Sequence, residues 1–315
     1  QDTTEEVPTW KRHDVVAQGN ARFFRRAILV DIDGDAVRDL MTVGETAPDL
    51  LGTTPGDALA QWFKGDAESP DRFDKTAHSM GAALGGLPIA YDVDEDGDVD
   101  FLAAELYTGL GGSFAWLEQS EAPSEASPDG VWIRHVIADT MGPSSQLALV
   151  EDFFGDGILR GVGTNHSNTQ KGAGSIPIPG FPGGESDPWE SAVFAFALPE
   201  DKTDKWEATP ISENIQSSPG DFLTSLAAPG GFDAGDLDGD GDLDLVVVGD
   251  GDTRIFWMEQ TTQGAFTMHV LEANMPQAGG PRIRDLDGDG ANEIVIPALI
   301  DGSVYVYRWV GVPTP

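Results

Sequence analysis

The chain has 315 residues, of which 40% are apolar, so it is long enough for one large β domain or two ordinary ones. Eight Trp and fifteen Phe can form a substantial core, which excludes disorder throughout. Lys and Arg number 18 against 54 Asp and Glu, a formal charge of −36, which argues against nucleic acid and anionic membrane surfaces as partners. The absence of cysteine excludes disulfides and thiolate metal sites. No apolar run reaches the length of a membrane span, so membrane insertion is not expected.

Five copies of one aspartate-rich motif follow one another along the chain. They read DIDGDAVRD from Asp31, DVDEDGDVD from Asp92, DFFGDGILR from Asp152, DLDGDGDLD from Asp236 and DLDGDGANE from Asp285. A short apolar run precedes and follows each copy, and an aromatic run comes next, beginning at Gln61, Phe114, Val193, Ile255 and Val304. Such runs, separated by Gly, Pro and Asp, are typical of β-strands, and a helical period is nowhere sustained. The sequence therefore predicts an all-β chain.

A fourth strand in each unit is indicated by the pattern Trp-x-x-His or a variant of it, which begins at Trp10, Trp132, Phe266 and, more loosely, Trp206. Four strands in about 60 residues are the plan of a propeller blade. The last unit lacks this strand, whereas the strand at Trp10 precedes the first unit. We therefore predict a five-bladed β-propeller, a single domain over residues 1–315 with its repeat core at about 10–309. The N-terminal strand is expected to complete the last blade, which would remove an open sheet edge.

These motifs resemble the FG-GAP or VCBS repeats, the calcium-loop blades of integrin-like propellers and of many secreted bacterial proteins. The resemblance extends from about Trp10 to Trp309. It implies a propeller that holds calcium, and a location outside a bacterial cell, on its surface or in its periplasm. The first residue is Gln1 rather than Met, which suggests a processed mature form. The resemblance does not specify an activity.

Calcium takes six to eight oxygen ligands in irregular geometry. Carboxylates at motif positions 1, 3, 5 and 9, with the backbone carbonyl of position 7, can surround such an ion, and Gly at position 6 permits the bend. Four structural calcium sites are therefore expected: Asp31, Asp33, Asp35 and Asp39; Asp92, Asp94, Asp96 and Asp100; Asp236, Asp238, Asp240 and Asp244; and Asp285, Asp287, Asp289 and Glu293. Position 12 is Val247, Ala103 or Ile296 in three copies, so the bidentate Glu that an EF-hand requires is missing.

Two copies depart from this pattern. Ala36 replaces the bend glycine of the first copy, which is expected to weaken its site. The third copy has Phe154 at position 3 and Arg160 at position 9. An arginine there can pair with the remaining carboxylates, Asp152 and Asp156, and take the place of the ion. No calcium is expected in the third unit.

Ligand-binding residues are expected at the opposite face, because the resemblance places ligand sites on the loops that leave the second strand and enter the first. Counting 13 or 14 residues from each first aspartate gives Glu45, Glu105, Asn165, His166 and Asp250. The entering loops add Arg22, Arg25, His78 and Arg282, and a Gly- and Pro-rich insertion in the third unit adds Trp189, which suits a sugar face. His13, His135 and His269 recur at one place in their units and are assigned to packing, whereas His78 and His166 show no counterparts.

Three functions remain open at this point. We prefer a binding module for glycans or a protein partner, because no G-x-S-x-G, H-E-x-x-H or phosphate-loop motif identifies an enzyme. The second is a polysaccharide-active enzyme: a lyase with His78 or His166 as base and Arg25 or Arg282 stabilising the enolate-like intermediate, or a glycoside hydrolase with Glu45 and Glu105 as its carboxylate pair. The third is a structural module of a surface assembly.

Overall fold

The computed structural model describes residues 14–15, 22–46, 56–69, 72–81, 84–106, 113–167, 190–212, 215–217, 227–275, 277–300 and 302–311. These residues form five antiparallel β-sheets and contain no helix. Four sheets have four strands and the fifth has three, counted over the residues just given. The all-β prediction is therefore confirmed, and five sheets correspond to the five predicted units.

The strands follow the motif order along the chain. The first sheet comprises β1 (Phe23–Val30), β2 (Asp39–Thr46), β3 (Asp57–Phe63) and β4 (His78–Ser79). The second comprises β5 (Ile89–Tyr91), β6 (Asp100–Ala104), β7 (Phe114–Glu121) and β8 (Val131–Ala138). The third comprises β9 (Ser144–Val150), β10 (Arg160–Asn165), β11 (Val193–Ala197) and β12 (Glu207–Ser212). The fourth comprises β13 (Phe232–Gly235), β14 (Asp244–Val248), β15 (Ile255–Thr262) and β16 (Ala265–Glu272). The fifth comprises β17 (Arg282–Arg284), β18 (Glu293–Ala298) and β19 (Ser303–Arg308).

Within each sheet, every strand pairs with the strand that follows it in the chain. Each aspartate-rich motif is the turn between the first and second strands of its sheet, so all five motifs lie at the same end of their sheets. The residues at the far end of each second strand consequently lie at the opposite end. We call these the loop end and the far end.

Hydrophobic clusters join consecutive sheets. Met41 and Trp62 of the first sheet are packed with Phe101 and Leu117 of the second. Three further clusters join the second sheet to the third, the third to the fourth and the fourth to the fifth. The sheets therefore stack face to face in chain order, and the second, third and fourth sheets bury side chains on both of their surfaces.

Burial along the second strands follows from this stacking. All five residues of β6 and of β14 are buried, because a neighbouring sheet covers each face of these strands. Strand β19 differs: Val304 is 66% exposed and Val306 is 57% exposed. The apolar outer part of the fifth sheet thus has no neighbouring sheet or fourth strand among the described residues.

Two predicted features fall outside the described residues. They are the strand at Trp10, apart from its last two positions, and the insertion of the third unit that contains Trp189. The described residues do not close the five sheets into a ring, so closure by the N-terminal strand stays a prediction. In the part of the chain that is described, no helix has the length and apolar character needed to cross a membrane.

Candidate metal centres and the opposite end of the sheets

Carboxylates converge in four of the five turns at the loop end. Within each cluster, one oxygen from each of three side chains lies within 4.8 Å of the others. The clusters are Asp31, Asp33 and Asp39; Asp92, Asp94 and Asp96; Asp236, Asp238 and Asp240; and Asp285, Asp287 and Asp289. Most of the predicted ligands are thereby brought together, at positions 1, 3 and 5 in three turns and at positions 1, 3 and 9 in the first.

The first aspartate of each turn organises the backbone around it. In the fourth sheet, Gly239 N donates to Asp236 Oδ1 at 2.7 Å and Gly241 N donates to Asp236 Oδ2 at 3.2 Å. The fifth sheet repeats these bonds from Gly288 and Gly290 to Asp285, at 2.7 and 3.0 Å. These glycines have positive φ angles, which L-residues adopt at a cost. The Gly pattern and the first aspartate therefore shape the turn.

The carboxylate at position 9 ties the turn to the third strand. Asp100 accepts hydrogen bonds from Val93 N at 2.8 Å and from Gln119 N at 2.9 Å. Asp244 accepts equivalent bonds from Leu237 N and Gln260 N. Both side chains are buried, and burial raises the pKa of Asp100 to about 7 and that of Asp244 to about 6. Each position-9 carboxylate is thus costly to bury unless positive charge compensates it.

The donor sets fit calcium. Each cluster offers three or more hard carboxylate oxygens on a flexible turn, which is the chemistry that calcium prefers. One buried oxygen of these clusters, Asp92 Oδ1, has no hydrogen-bond partner, whereas Glu293 Oε1 lies 3.7 Å from Arg308 Nε. A buried carboxylate oxygen without a donor is expected to face a cation or water. Bound calcium would be held by these carboxylates, and its chemical contribution would be charge compensation that stabilises the turn.

The first turn contains the predicted irregularity. Ala36 has a φ of 67°, the same left-handed conformation that glycine has at this position in the other turns. Ala36 N still donates to Asp31 Oδ2 at 2.8 Å. The turn therefore keeps its shape, at a strain cost of about 1 kcal/mol for an alanine in this region.

The third turn is completed by its own arginine. Arg160 forms two hydrogen bonds to Asp156, from Nη1 to Oδ1 and from Nη2 to Oδ2, each at 2.6 Å. Its guanidinium also lies 4.2 Å from the ring centre of Phe154, and Phe153 packs on Phe266 of the fourth sheet. The predicted pairing of Arg160 with a remaining carboxylate is confirmed. The expectation that this turn holds no calcium stays a prediction.

At the far end, two predicted ligand residues are buried beside arginines. Glu45 is 1% exposed, and Arg25 Nε lies 3.3 Å from its Oε2. Glu105 is 0% exposed and accepts a hydrogen bond from Arg134 at 2.5 Å. Burial raises the pKa of both carboxyls, that of Glu105 to about 7, and the charge of Glu45 contributes to the shift of Glu105. The charge of Glu45 therefore affects the ionisation of Glu105 across the interface between the first and second sheets.

The third and fourth sheets place a histidine beside an aspartate. His166 Nε2 lies 3.4 Å from Asp250 Oδ2, and His166 Nδ1 lies 3.0 Å from the carbonyl oxygen of Pro229. Burial raises the pKa of Asp250, and the charge of His166 opposes that shift. Asn165 is fully buried and bonds to backbone groups, including Ala192 N and Glu190 O. Among the predicted ligand residues of these two sheets, His166 and Asp250 are thus brought together, whereas Asn165 supports the backbone.

The remaining predicted ligand residues are dispersed. Arg282 begins β17 and donates to the carbonyl of Pro281 at 2.7 Å. Arg22 bonds to Asp57 of the first sheet. Trp189 lies outside the described residues. None of these assignments is tested by the geometry, and they stay predictions.

His78 has structural counterparts that the sequence comparison missed. It pairs with Trp62 across the strands as His135 pairs with Trp116 and His269 with Trp257. In each case the imidazole lies over the indole, with ring centres 4.6–4.8 Å apart. The statement that His78 has no counterpart is therefore wrong. The equivalence was hidden because Lys75, and not an aromatic residue, stands three positions before His78.

Sequence reasoning also missed three cations that contact these carboxylates. Arg134 lies in β8 and donates to Glu105, which lies in the connection between β6 and β7. Lys64 and Arg308 reach the clusters of the first and fifth sheets from the ends of the third strands. Aligning the third strands on their aromatic residues would have shown that Lys64 and Arg308 occupy one position.

Comparison with protein-family models gives a match to part of the chain. Residues 236–296 match the family model described as an FG-GAP-like repeat. The matched segment runs from the turn of the fourth sheet to β18 of the fifth and so includes two of the four carboxylate clusters. A search of curated proteins found no match to the chain.

Proposed function

Because residues 236–296 form an FG-GAP-like repeat in a chain of five β-sheets, we propose that the protein is a calcium-stabilised β-propeller that acts as a binding module. Calcium would stabilise the loop end. A glycan or a protein partner would bind at the far end, the top face of the propeller. The calcium sites favour a location where calcium is plentiful, outside the cell, at its surface or in the periplasm.

One contrast carries this proposal. The loop end repeats the same residues from sheet to sheet, as expected of a scaffold. The far end varies from sheet to sheet: the corresponding ends of the second strands carry Glu45 and Glu105 in the first two sheets, His166 and Asp250 in the next two, and Ala298 in the fifth. Repetition of one turn supports stability, whereas residues that change from sheet to sheet and are held on rigid strands are suited to recognition.

The binding proposal is tested on a glycan array in calcium buffer. The variants His166→Ala and Asp250→Asn are expected to lose specific binding while they still unfold in one cooperative thermal transition, as is Trp189→Ala if the insertion contributes its ring. Glu125→Gln, an exposed residue at the loop end, is the matched control and is expected to bind as the wild type does. Equal binding by all variants would overturn the far-end site, and no binding to any glycan would leave a protein partner or a structural module.

We also propose that the segment at Trp10 completes the fifth sheet and closes the ring. In the second sheet, Trp132 packs against Phe101 at a tilted angle and joins a cluster with Ile32 of the preceding turn. In the fourth sheet, Phe266 stacks on Phe153 of the preceding turn. The corresponding place beside the fifth sheet is a cavity of about 110 Å³ lined by Leu237, Trp257, Leu271, Asn292, Ile294, Tyr307, Arg308 and Trp309. Leu237 occupies the turn position of Ile32 and Phe153, so an indole from Trp10 suits this cavity.

Charge at the inner strands supports the same arrangement. Burial lowers the pKa of Arg26 in β1, and the charge of Arg282 in β17 lowers it further. Such an effect requires the first and last sheets to be near one another.

The closure is tested by truncation: removal of residues 1–9 is expected to leave the melting temperature unchanged, whereas Trp10→Ala is expected to cost roughly 3–5 kcal/mol. Equal stability of Trp10→Ala and wild type would overturn it.

A second candidate function has one observation in its favour. Carboxyls with raised pKa values beside arginines, as at Glu45 and Glu105, are common in active sites. A polysaccharide lyase or glycoside hydrolase at this place would lose turnover in Glu105→Gln while still binding its substrate. Turnover assays on the glycans that bind therefore separate the two functions.

A further inference from the structure

The four carboxylate clusters differ in the charge of the third-strand residue that lies opposite motif position 9. The backbone N–H groups of Gly65, Gln119 and Gln260 each donate to the position-9 carboxylate of their turn. The residues just before them are Lys64, Glu118 and Glu259. In the fifth sheet, Arg308 pairs directly with Glu293 at position 9. The facing residue, defined as the third-strand residue opposite position 9, is therefore basic in the first and fifth sheets and acidic in the second and fourth.

The basic facing residues bind the carboxylates that calcium would need. Lys64 Nζ contacts Asp33 and lies 2.7 Å from Asp35 Oδ2. Arg308 contacts Asp289, lies 3.2 Å from Asp287 Oδ2, and is 3.7 Å from Glu293 Oε1.

The acidic facing residues have the opposite effect. Glu118 is held by His135 Nε2 and Glu259 by His269 Nε2, each at 2.6 Å, so both keep a fixed place beside their clusters. No lysine or arginine among the described residues forms an ion pair with either of these two clusters.

The residue at motif position 7 separates the same two pairs of sheets by charge. It is aspartate in the second and fourth turns, at Asp98 and Asp242, and apolar in the first and fifth, at Val37 and Ala291. Calcium affinity in oxygen sites rises with the number of ligand charges. Counting positions 1, 3, 5 and 9 with the facing residue gives −5 in the second and fourth sheets and −3 in the first and fifth.

We propose that the facing residue sorts the clusters into two classes: the second and fourth sheets bind calcium tightly, and in the first and fifth sheets Lys64 and Arg308 replace the ion. The protein then binds two tight calcium ions rather than four. The third sheet contains a related replacement, since Arg160 completes that turn from position 9. This inference rests on the proposal that calcium is the stabilising ion.

The test counts calcium by native mass spectrometry and titration calorimetry after chelation and dialysis. Wild type is expected to hold two tight ions, with other sites roughly 10- to 100-fold weaker for each unit of charge lost. Four matched variants change position 3: Asp94→Asn and Asp238→Asn are each expected to remove one tight ion, and Asp33→Asn and Asp287→Asn none.

Reversing the charge of the facing residue is expected to create additional tight calcium sites. Lys64→Glu is expected to add a third tight ion, and Lys64→Glu with Arg308→Glu a fourth, whereas Lys64→Arg is the control that adds none. Four equal sites in wild type would overturn the sorting and leave the calcium proposal standing. Absence of calcium from wild type and from the Glu variants would overturn both.

Discussion

The two ends of the sheets differ in how their carboxylates are arranged: in groups at the loop end, and singly beside arginines at the far end. At the loop end, each sheet except the third gathers three or more carboxylates into one turn, and two clusters have a glutamate rather than a cation facing them. At the far end, single carboxyls such as Glu45 and Glu105 are fully buried, each beside an arginine from the same sheet. Carboxylates are thus grouped in one place, and paired singly with a fixed arginine in the other.

This difference predicts where stability depends on solution conditions. An arginine stays with the chain, whereas the calcium proposed for the loop end would leave when its free concentration falls. On that proposal the stability of the loop end would depend on calcium, and the far end would keep its geometry without it. At the loop end, Arg160 pairs with a carboxylate in the third turn, as Lys64 and Arg308 do in the first and fifth turns.

Calcium removal gives the largest expected effect. Each tight site contributes about 4 kcal/mol when calcium is a thousandfold above its Kd, so chelation is expected to lower the melting temperature substantially. Hydrogen exchange should increase at residues 93–97 and 237–241 and remain unchanged at residues 153–157. Uniform change at all five turns, or replacement of calcium by magnesium without loss, would contradict the contrast between the turns.

Converting the third turn tests the contrast directly. Phe154→Asp with Arg160→Asp restores carboxylates at positions 3 and 9. Without calcium the variant is expected to lose about 3 kcal/mol, because apolar packing and the Arg160–Asp156 pair disappear. With calcium it should recover stability and bind one additional ion in native mass spectrometry. Arg160→Asp alone, which leaves Phe154 in place, is the control and should bind no additional ion.

Glu105 gives a smaller effect at the far end. Its carboxyl has a pKa of about 7 in the folded chain against an ordinary value of 4.5, so the folded chain binds its proton more tightly. The contribution of this group to stability therefore falls as pH rises from about 4.5 to 7. The free energy of unfolding of Glu105→Gln, minus that of wild type, should rise by about 1–3 kcal/mol between pH 5 and 8. Denaturant titrations measure this, with exposed Glu125→Gln as the flat control.

The smallest expected effect concerns the bend of the first turn. Ala36→Gly relieves a left-handed alanine, so it should stabilise the protein by about 1 kcal/mol. Glu95→Gly, at another left-handed position, should behave alike, and Gly241→Ala should destabilise by a similar amount. Denaturant titrations of the three variants check the sign. A destabilised Ala36→Gly would show that the turn is not strained.

Much of the scaffold could be predicted because it depends on local chemistry. Alternating aspartates and glycines determine the turns, and the β-branched and aromatic runs between them determine the strands. The pairing of Arg160 with Asp156 was also predictable, since the two side chains are four residues apart. The far-end pairs were not, because Arg134 and Glu105 are 29 residues apart and meet only through strand register.

The sequence by itself determined that this chain is all-β, that it repeats five times and that its carboxylates gather in turns. Tertiary structure decided which side chain faces each turn and which histidines are equivalent. The physical reason is that a repeat conserves the turn, while the connections between third and fourth strands vary in length. His78 and Lys64 therefore acquire their roles from cross-strand register, which spacing along the chain does not reveal.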